Sequence, residues 1–261
     1  MHEEFAVREL TIDGVRTAIK VIGRGPPVLF LHGASTLEGW DALKPLGTHF
    51  TVYAPSHPGF GLSGDAPHLT SMGDLVVHYR ALIGALELER PHLIGFSMGG
   101  WLAAELAAMC GERFNKLVLV APAGLRDTAH PMTDLAAIPP QDFPAFLSDN
   151  AAIAGHFFPD GQNKPATEAF VEARSREGEA VARLTRPFGF GHPNLARWLG
   201  HVTNPCLISW GEKDRIIPAE SARLWRAALP HAAFASYSDA GHLVLLEAAE
   251  AVTTISNFLK N

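Results

Sequence analysis

The chain has 261 residues, of which 21 are Lys or Arg and 27 are Asp or Glu, so its formal net charge is −6. This length suffices for one sizeable core, and a mildly acidic chain without a Lys/Arg cluster is not expected to bind nucleic acid. Acidic Glu3 and Glu4 argue against a secretory signal, and no stretch reaches the roughly 18 apolar residues of a membrane span. We therefore expect a soluble cytoplasmic protein that does not bind membranes.

The first part of the chain predicts an antiparallel edge followed by buried strands. Two β-prone runs, 5–10 and 15–22, flank an Asp-Gly pair at 13–14, which is a strong hairpin signal. The runs 28–31 and 51–54 are continuously apolar, which is typical of strands buried on both faces. The hairpin is therefore predicted at the edge of the sheet and the apolar runs in its interior.

The rest of the chain alternates strand-like and helix-like segments. The remaining predicted elements are an amphipathic piece at Leu37–Leu46, helices over 75–86, 101–108, 219–228 and 244–259, and strands over 92–96, 116–121, 206–210 and 233–237. Such alternation indicates a mostly parallel β-sheet covered by helices on both faces.

Between about 126 and 200 the apolar β-runs vanish and Pro, Ala, Arg and Phe dominate in helical spacing. Three helical pieces are predicted there, near 142–150, 166–185 and 193–199. We interpret this region as a helical cap (126–200) inserted after the sixth strand into a core formed by 1–125 and 201–261.

A G-x-S-x-G pattern stands at 95–99, at a predicted strand-to-helix corner, and it matches a nucleophile elbow. The flanking glycines allow a tight, strained turn that holds the oxygen of Ser97 above the sheet edge. The N–H of Met98 then lies at a helix N-terminus, where it can face developing negative charge. A serine in this position is by itself more often a helix N-cap than a nucleophile, so the other motifs must decide the role of Ser97.

A serine nucleophile needs a base, and the base needs a carboxylate that holds it in one tautomer. Asp214 follows the strand 206–210 and His242 follows the strand 233–237, so both loops are expected at the same edge of the sheet. We predict Asp214 as the orienting acid and His242 as the base. The alternatives for the acid are Asp127, Glu212 and Asp239.

Together these motifs resemble the α/β-hydrolase superfamily, in its branch of single-domain, esterase-like hydrolases with a helical cap. The motifs occur in the family's order as H-G-A-S at 32–35, P-G-F-G-L-S at 58–63, G-F-S-M-G-G at 95–100, W-G-E-K-D at 210–214 and A-G-H at 240–242. The resemblance covers nearly the whole chain. It implies an α/β-hydrolase fold, with a mostly parallel twisted β-sheet flanked by helices, and a Ser97–Asp214–His242 triad.

The resemblance also implies an oxyanion hole made by the backbone N–H groups of Ala34 and Met98. His32 resembles the family's oxyanion-loop histidine, which supports the loop instead of reacting. Ser35 is expected to cap the following helix or to add a hydroxyl to the site.

Substrate contacts are predicted from the residues expected near Ser97, because such pockets are mainly apolar with few polar anchors. The predicted substrate-binding residues are His32, Ser35, Phe143, Phe158, Phe188, Trp198 and Leu243. The two cysteines, Cys110 and Cys206, lie in apolar contexts and are predicted to be buried thiols.

Ser97 argues against epoxide hydrolases and haloalkane dehalogenases, relatives that use aspartate at the elbow. We predict a carboxylic ester hydrolase in which Ser97 is acylated and a water activated by His242 releases the acid. No cofactor or metal is required, the partner is a small-molecule substrate, and a homodimer is one option for the oligomeric state.

Three other functions stay open. A carbon–carbon bond hydrolase of the meta-cleavage type has similar motif spacing, but such enzymes usually carry tryptophan where Leu243 follows His242. A cofactor-free perhydrolase or haloperoxidase resembles the elbow equally well. A hydrolase-like ligand receptor keeps the same pocket and triad without turnover.

Overall fold

The computed structural model describes residues 4–36, 40–139, 142–159 and 162–261. A single eight-stranded sheet runs through this part of the chain, with the strand order β1-β2-β4-β3-β5-β6-β7-β8. The strands are β1 (Ala6–Ile12), β2 (Val15–Ile22), β3 (Pro27–Leu31), β4 (Thr51–Pro55), β5 (His92–Phe96), β6 (Leu117–Val120), β7 (Cys206–Gly211) and β8 (Ala233–Tyr237). β1 and β2 pair antiparallel, as do β2 and β4, and every other neighbouring pair is parallel.

Helices connect the parallel strands and cover the sheet. The α-helices are α1 (Met72–Ala85), α2 (Met98–Cys110), α3 (Phe143–Leu147), α4 (Ala151–His156), α5 (Lys164–Thr185), α6 (Leu195–Leu199), α7 (Ala222–Ala228), α8 (Val244–Glu247) and α9 (Ala249–Lys260). No helix in the described part of the chain is both long and apolar enough to cross a membrane.

Burial of the strands follows the sequence pattern. The central strands β5 and β6 are buried at every position, as their continuous apolar runs predict, whereas β1 is mostly exposed at the edge. The β1–β2 hairpin turns through Asp13 and Gly14, both at positive φ, which is the geometry that Asp-Gly favours. The predicted α/β sheet and its antiparallel edge are confirmed.

Three predicted elements differ in detail. The predicted helix 142–150 is shorter, since α3 ends at Leu147 and Ser148 is extended, and an unpredicted helix, α4, follows from Ala151, where the Asn150 side chain accepts the Ala152 N–H. The predicted helix 244–259 breaks at Ala248, whose backbone is extended. The predicted piece Leu37–Leu46 is a 3₁₀ helix, Trp40–Thr48, that contains Pro45, and residues 37–39 lie outside the described residues.

The segment 126–200 lies between β6 and β7 and contains α3 to α6. Charged side chains of helix α5 contact the loop between β4 and α1. Arg176 pairs with Asp65 at 2.6 Å, and the Arg183 side chain donates to the carbonyl of Leu69 at 3.1 Å. Both partners lie between β4 and α1, so these contacts join the segment to the loop that follows the carboxyl end of β4.

Both cysteines are free and buried, as predicted. Burial raises the pKa of the Cys206 thiol to about 12, and it also raises the pKa of Cys110. Both thiols are therefore protonated at neutral pH.

Two glycines of the 95–99 turn allow a close approach of backbones. A Cβ on Gly99 would lie 2.1 Å from the carbonyl oxygen of Leu31 and 2.3 Å from that of His32. A Cβ on Gly95 would lie 2.3 Å from the carbonyl oxygen of Gly99. Helix α2 therefore begins directly against the end of β3, at a spacing that no other residue type permits.

Gly99→Ala is expected to lower the free energy of unfolding by about 1 to 3 kcal/mol, because the clashing atoms are backbone and cannot rotate away. Gly84→Ala in α1 is the matched control, since a Cβ there meets nothing within 4 Å. That change should stabilise the protein by about 0.5 to 1 kcal/mol through helix propensity. Urea unfolding of both variants checks the pair, and equal effects of the two changes would contradict the packing argument.

Candidate active site

Ser97 lies at the turn between β5 and α2 with φ 53° and ψ −118°, a conformation that is strained for a residue with a side chain. Its backbone is held on both sides, since its N–H donates to Val120 O at 2.9 Å and its carbonyl accepts from Ala123 N at 3.0 Å. The side chain makes no helix-capping hydrogen bond. The turn instead presents Oγ to His242.

His242 links Ser97 to Asp214. Its Nδ1 lies 2.8 Å from Asp214 Oδ2, and its Nε2 lies 3.1 Å from Ser97 Oγ. Because an ionised carboxylate only accepts hydrogen bonds, Nδ1 carries the proton and Nε2 is free to accept from the serine hydroxyl. All three residues are buried.

Asp214 is held in place by its own loop. Its Oδ1 accepts the backbone N–H groups of Ile216 at 2.8 Å and Ile217 at 2.9 Å, which leaves Oδ2 for His242. The two backbone donors thereby fix the orientation of the carboxylate toward His242.

The other candidate acids have other partners. Asp127 pairs with Arg223 at 2.7 Å, and Asp239 pairs with Lys213 at 3.0 Å. Glu212 accepts a hydrogen bond from Ser236 at 2.8 Å. The structure therefore brings Asp214, and none of these three, into hydrogen-bonding contact with His242.

Ala34 and Ser97 line the same small cavity, and Met98 is the first residue of α2. The first N–H groups of a helix have no carbonyl one turn earlier to bond. Within the described residues, neither the Ala34 nor the Met98 N–H donates to a hydrogen bond. Both backbone groups are thus available to an oxygen atom bound beside Ser97.

A buried network, whose main members are His32, His57 and Tyr79, lies beneath the loop that carries Ala34. The His57 backbone N–H donates to His32 Nε2 at 2.9 Å, and His57 Nε2 donates to the carbonyl of His32 at 2.9 Å. His32 Nδ1 donates to the carbonyl of Gly33 at 2.8 Å, and Tyr79 donates to His57 Nδ1 at 2.5 Å. These bonds assign one neutral tautomer to each histidine.

Both histidines of the network are uncharged at neutral pH. Burial lowers the pKa of His32 to about 3, and burial together with the neighbouring His32 holds the pKa of His57 well below its ordinary value. His32 therefore bonds to Gly33 and His57, and it does not line the cavity at Ser97, where a substrate contact was predicted for it. His57 and Tyr79 were not predicted, although the histidine stands in the turn-rich 55–64 loop.

Glu177 of α5 binds the loop that carries Ala34 from above. Its carboxylate accepts from the Thr36 hydroxyl at 2.6 Å, the Thr36 N–H at 3.2 Å and the Gly61 N–H at 3.1 Å. Arg174, one turn earlier, pairs with Glu177 at 2.5 Å and donates to the Ser35 hydroxyl. No sequence pattern signals these contacts, because the partners are about 140 residues apart.

Two neighbouring cavities lie above the serine. The smaller, of about 80 Å³, is lined by Ser97 and His242 and otherwise mainly by apolar side chains. The larger, of about 770 Å³, shares Ala34, Leu135 and Phe143 with it. A bound molecule therefore has a tight apolar space at the serine and more room beside it.

The predicted substrate contacts divide into two groups. Ser35, Phe143 and Leu243 line the small cavity. Phe158 instead packs between Phe143 and Phe170, with ring centroids 6.3 and 5.5 Å away. Phe188 and Trp198 line a separate cavity beside α2, because the chain after α5 turns their side chains away from Ser97.

The model of the alpha/beta hydrolase family matches residues 28–254. A relative from Cupriavidus necator, a "dihydrolipoyllysine-residue acetyltransferase component of acetoin cleaving system", is 28% identical over 91% of this chain and 64% of its own length. The chain thus spans less than two thirds of that relative.

A "2-hydroxy-6-oxo-2,4-heptadienoate hydrolase" from Pseudomonas putida is 27% identical over 92% of this chain and 91% of its own. Among solved structures, a bacterial membrane phospholipase A superposes with a TM-score of 0.81 at 23% identity, covering 98% of this chain and 86% of that one. That likeness concerns the fold. The family match agrees with the order of the strands and with the serine at the strand-to-helix turn. This chain therefore belongs to the alpha/beta hydrolase family.

Tyr79→Phe is expected to lower the free energy of unfolding by about 1 to 3 kcal/mol, because it leaves the buried His57 Nδ1 without a donor. Tyr237→Phe is the matched control, since the buried Tyr237 hydroxyl has no hydrogen-bond partner among the described residues. Denaturant unfolding measures both. A loss of stability in Tyr237→Phe as large as that in Tyr79→Phe would contradict the role of the network.

Proposed function

We propose that this chain is a serine hydrolase that cleaves carboxylic esters of small or medium size through an acyl-enzyme. The observation that carries the proposal is the continuous hydrogen-bonded path from Ser97 Oγ through His242 to Asp214. An isolated serine hydroxyl is a weak nucleophile, and this arrangement supplies both a base and the carboxylate that orients it.

The proposed reaction begins when His242 Nε2 takes the Ser97 proton as Oγ attacks the ester carbonyl. The resulting imidazolium is stabilised by Asp214, and His242 then returns the proton to the leaving alcohol. A water activated by the same nitrogen hydrolyses the acyl-enzyme and releases the acid. Asp214 keeps its two backbone donors and orients His242 in both steps.

We assign the oxyanion of each tetrahedral intermediate to the N–H groups of Ala34 and Met98. Preorganised donors of this kind stabilise charge that develops in the transition state, and loss of one donor typically costs about 10²- to 10³-fold in rate. The His32–His57 network and the Glu177 carboxylate support the assignment, because they restrain the loop that carries Ala34.

We further propose that 126–200 acts as a cap over a core formed by 1–125 and 201–261. Cap residues Leu135, Phe143 and Leu147 line the cavity at Ser97, and Val181 and Phe190 line the larger one. The cap would thereby exclude water and set the size of the substrate. A space of about 80 Å³ at the serine favours a short acyl or alcohol group there.

A carbon–carbon bond hydrolase is the second candidate. The relative from Pseudomonas putida supports it, because the match extends over nine tenths of both chains and that relative is named as a heptadienoate hydrolase. Leu243 directly after His242 weighs against it, since such enzymes usually carry tryptophan at that place. The two candidates share the Ser97–His242 pair and differ in the substrate that the cavities accept.

A panel of para-nitrophenyl esters of increasing acyl length, assayed beside a vinylogous diketone, separates the two reactions. Steady ester turnover that is fastest for short chains is expected because the cavity at Ser97 is small, with diketone cleavage absent. Ser97→Ala should reduce every rate to background. Faster cleavage of the diketone than of any ester would establish the second candidate, and a burst of one equivalent followed by arrest would indicate a ligand receptor.

Asp214→Asn should lower kcat by about 10⁴-fold, the scale known for the corresponding change in serine proteases, because asparagine favours the wrong histidine tautomer. Asp239→Asn is the matched control, since that carboxylate is exposed and pairs with Lys213. Its ester turnover should stay close to that of the unchanged protein. Near-normal turnover of Asp214→Asn would overturn the assignment of the acid.

A further inference from the structure

A third cavity, separate from the two above Ser97, contains an acidic group that the hydrolytic reaction does not use. We call this space of about 160 Å³ the aromatic cavity. The lining residues that matter here are Trp101, Glu105, Met109, Phe188, His192 and Trp198. It lies between α2, the start of α1 and the segment 184–198.

Glu105 is the acidic group in the wall of the aromatic cavity, and it is only 2% exposed. Its Oε1 accepts the indole N–H of Trp101 at 2.6 Å. Within the described residues, no Arg, Lys or His forms an ion pair with this carboxylate. A buried carboxylate without a counter-ion is costly in its charged form, so a cation that enters the cavity would gain a strong partner.

The other wall of the cavity is aromatic. The His192 ring stacks on Trp198 with centroids 4.2 Å apart and an interplanar angle of 31°, and it meets the edge of Phe188 at 4.6 Å. His192 Nδ1 accepts the Asn194 N–H at 3.1 Å, and burial lowers the pKa of His192. The His192 ring is therefore mostly neutral at any pH equal to or above the ordinary pKa of histidine. It does not compete as a cation for Glu105.

This combination selects the chemistry of a ligand. The faces of aromatic rings attract cations, and cages of such rings bind alkylated ammonium groups. A metal ion would need several oxygen, nitrogen or sulfur ligands, and no cluster of three His, Cys, Asp or Glu suited to a metal occurs in the described ranges. A cavity of about 150 Å³ holds benzene in another protein, so this space suffices for a small alkylammonium group.

We propose that the aromatic cavity binds a small organic ammonium ion, held by the Glu105 carboxylate and by the rings of Trp101, Trp198 and Phe188. The ion would enter between Met109 and Phe188, which are 51% and 39% exposed. This site is independent of the reaction at Ser97, since the two cavities at Ser97 share none of these residues.

Calorimetric titration of the full chain with choline at pH 8 tests the proposal. The matched probe is dimethylbutanol, in which carbon replaces the choline nitrogen and removes the charge. Choline should bind saturably and at least about tenfold more tightly than the alcohol. Equal affinities for the two probes, or no saturation by choline at tens of millimolar, would overturn the proposal.

Glu105→Gln keeps an acceptor for Trp101 and removes the charge, so choline should lose its advantage over the alcohol. Glu112→Gln is the control, because Glu112 is an exposed acid just beyond α2 and lies outside the cavity. It should leave choline binding unchanged. Trp198→Leu, at the partly exposed wall, provides a second test and should weaken choline about tenfold. Choline affinity that survives both Glu105→Gln and Trp198→Leu would refute the site.

The pH dependence gives an independent readout. Glu105 and His192 are the titratable side chains among the described residues that line the cavity. Burial raises the pKa of Glu105 to about 7. Choline should therefore bind more weakly at pH 6, where Glu105 is mostly protonated, than at pH 8. At pH 7 Glu105 is about half protonated, so choline binding should release up to about half a proton per ion, and Glu105→Gln should abolish this release. Binding that is equal at both pH values and releases no proton would contradict the role of Glu105.

Discussion

The contact between the start of α2 and the end of β3 is the constraint on which the site depends. Gly99 brings the backbone of α2 so close to Leu31 and His32 that a single added carbon would overlap their carbonyl oxygens. Met98 and Ala34, which carry the two proposed oxyanion donors, are the neighbours of this contact in sequence. One steric fit between backbones therefore sets the spacing of two groups in different segments, the loop after β3 and the start of α2.

The turn that makes this contact between α2 and β3 also contains the strained backbone of Ser97. Its positive φ costs free energy that the surrounding hydrogen bonds to Val120 and Ala123 must offset. The conformation aims the hydroxyl at His242 and away from the helix end, so it serves the chemistry and not the capping of α2. A serine that merely capped the helix would have no need of this geometry.

The catalytic triad and the histidine network beside it join their buried polar groups in defined pairs, and this favours a single arrangement. The rings of His32 and His57 form a closed pattern of donors and acceptors with Tyr79, and Asp214 divides its two oxygens between backbone and His242. In a low-dielectric interior an unpaired group is costly, so these patterns resist alternatives. Glu105 is the contrast, because a single indole N–H is the hydrogen-bond donor to its buried carboxylate within the described residues.

Local sequence patterns were enough to predict the sheet, the hairpin, the strand-to-helix serine and the loops that carry Asp214 and His242. These features follow from hydrophobic periodicity, turn residues and the rule that carboxyl ends of parallel strands share one edge. The hydrogen bonds from Thr36 to Glu177 and the placement of Phe188 and Trp198 beside Glu105 depended on the tertiary structure. Each involves side chains that are distant in sequence, and their contacts are decided by how the segment 126–200 packs on the sheet, which no local pattern encodes.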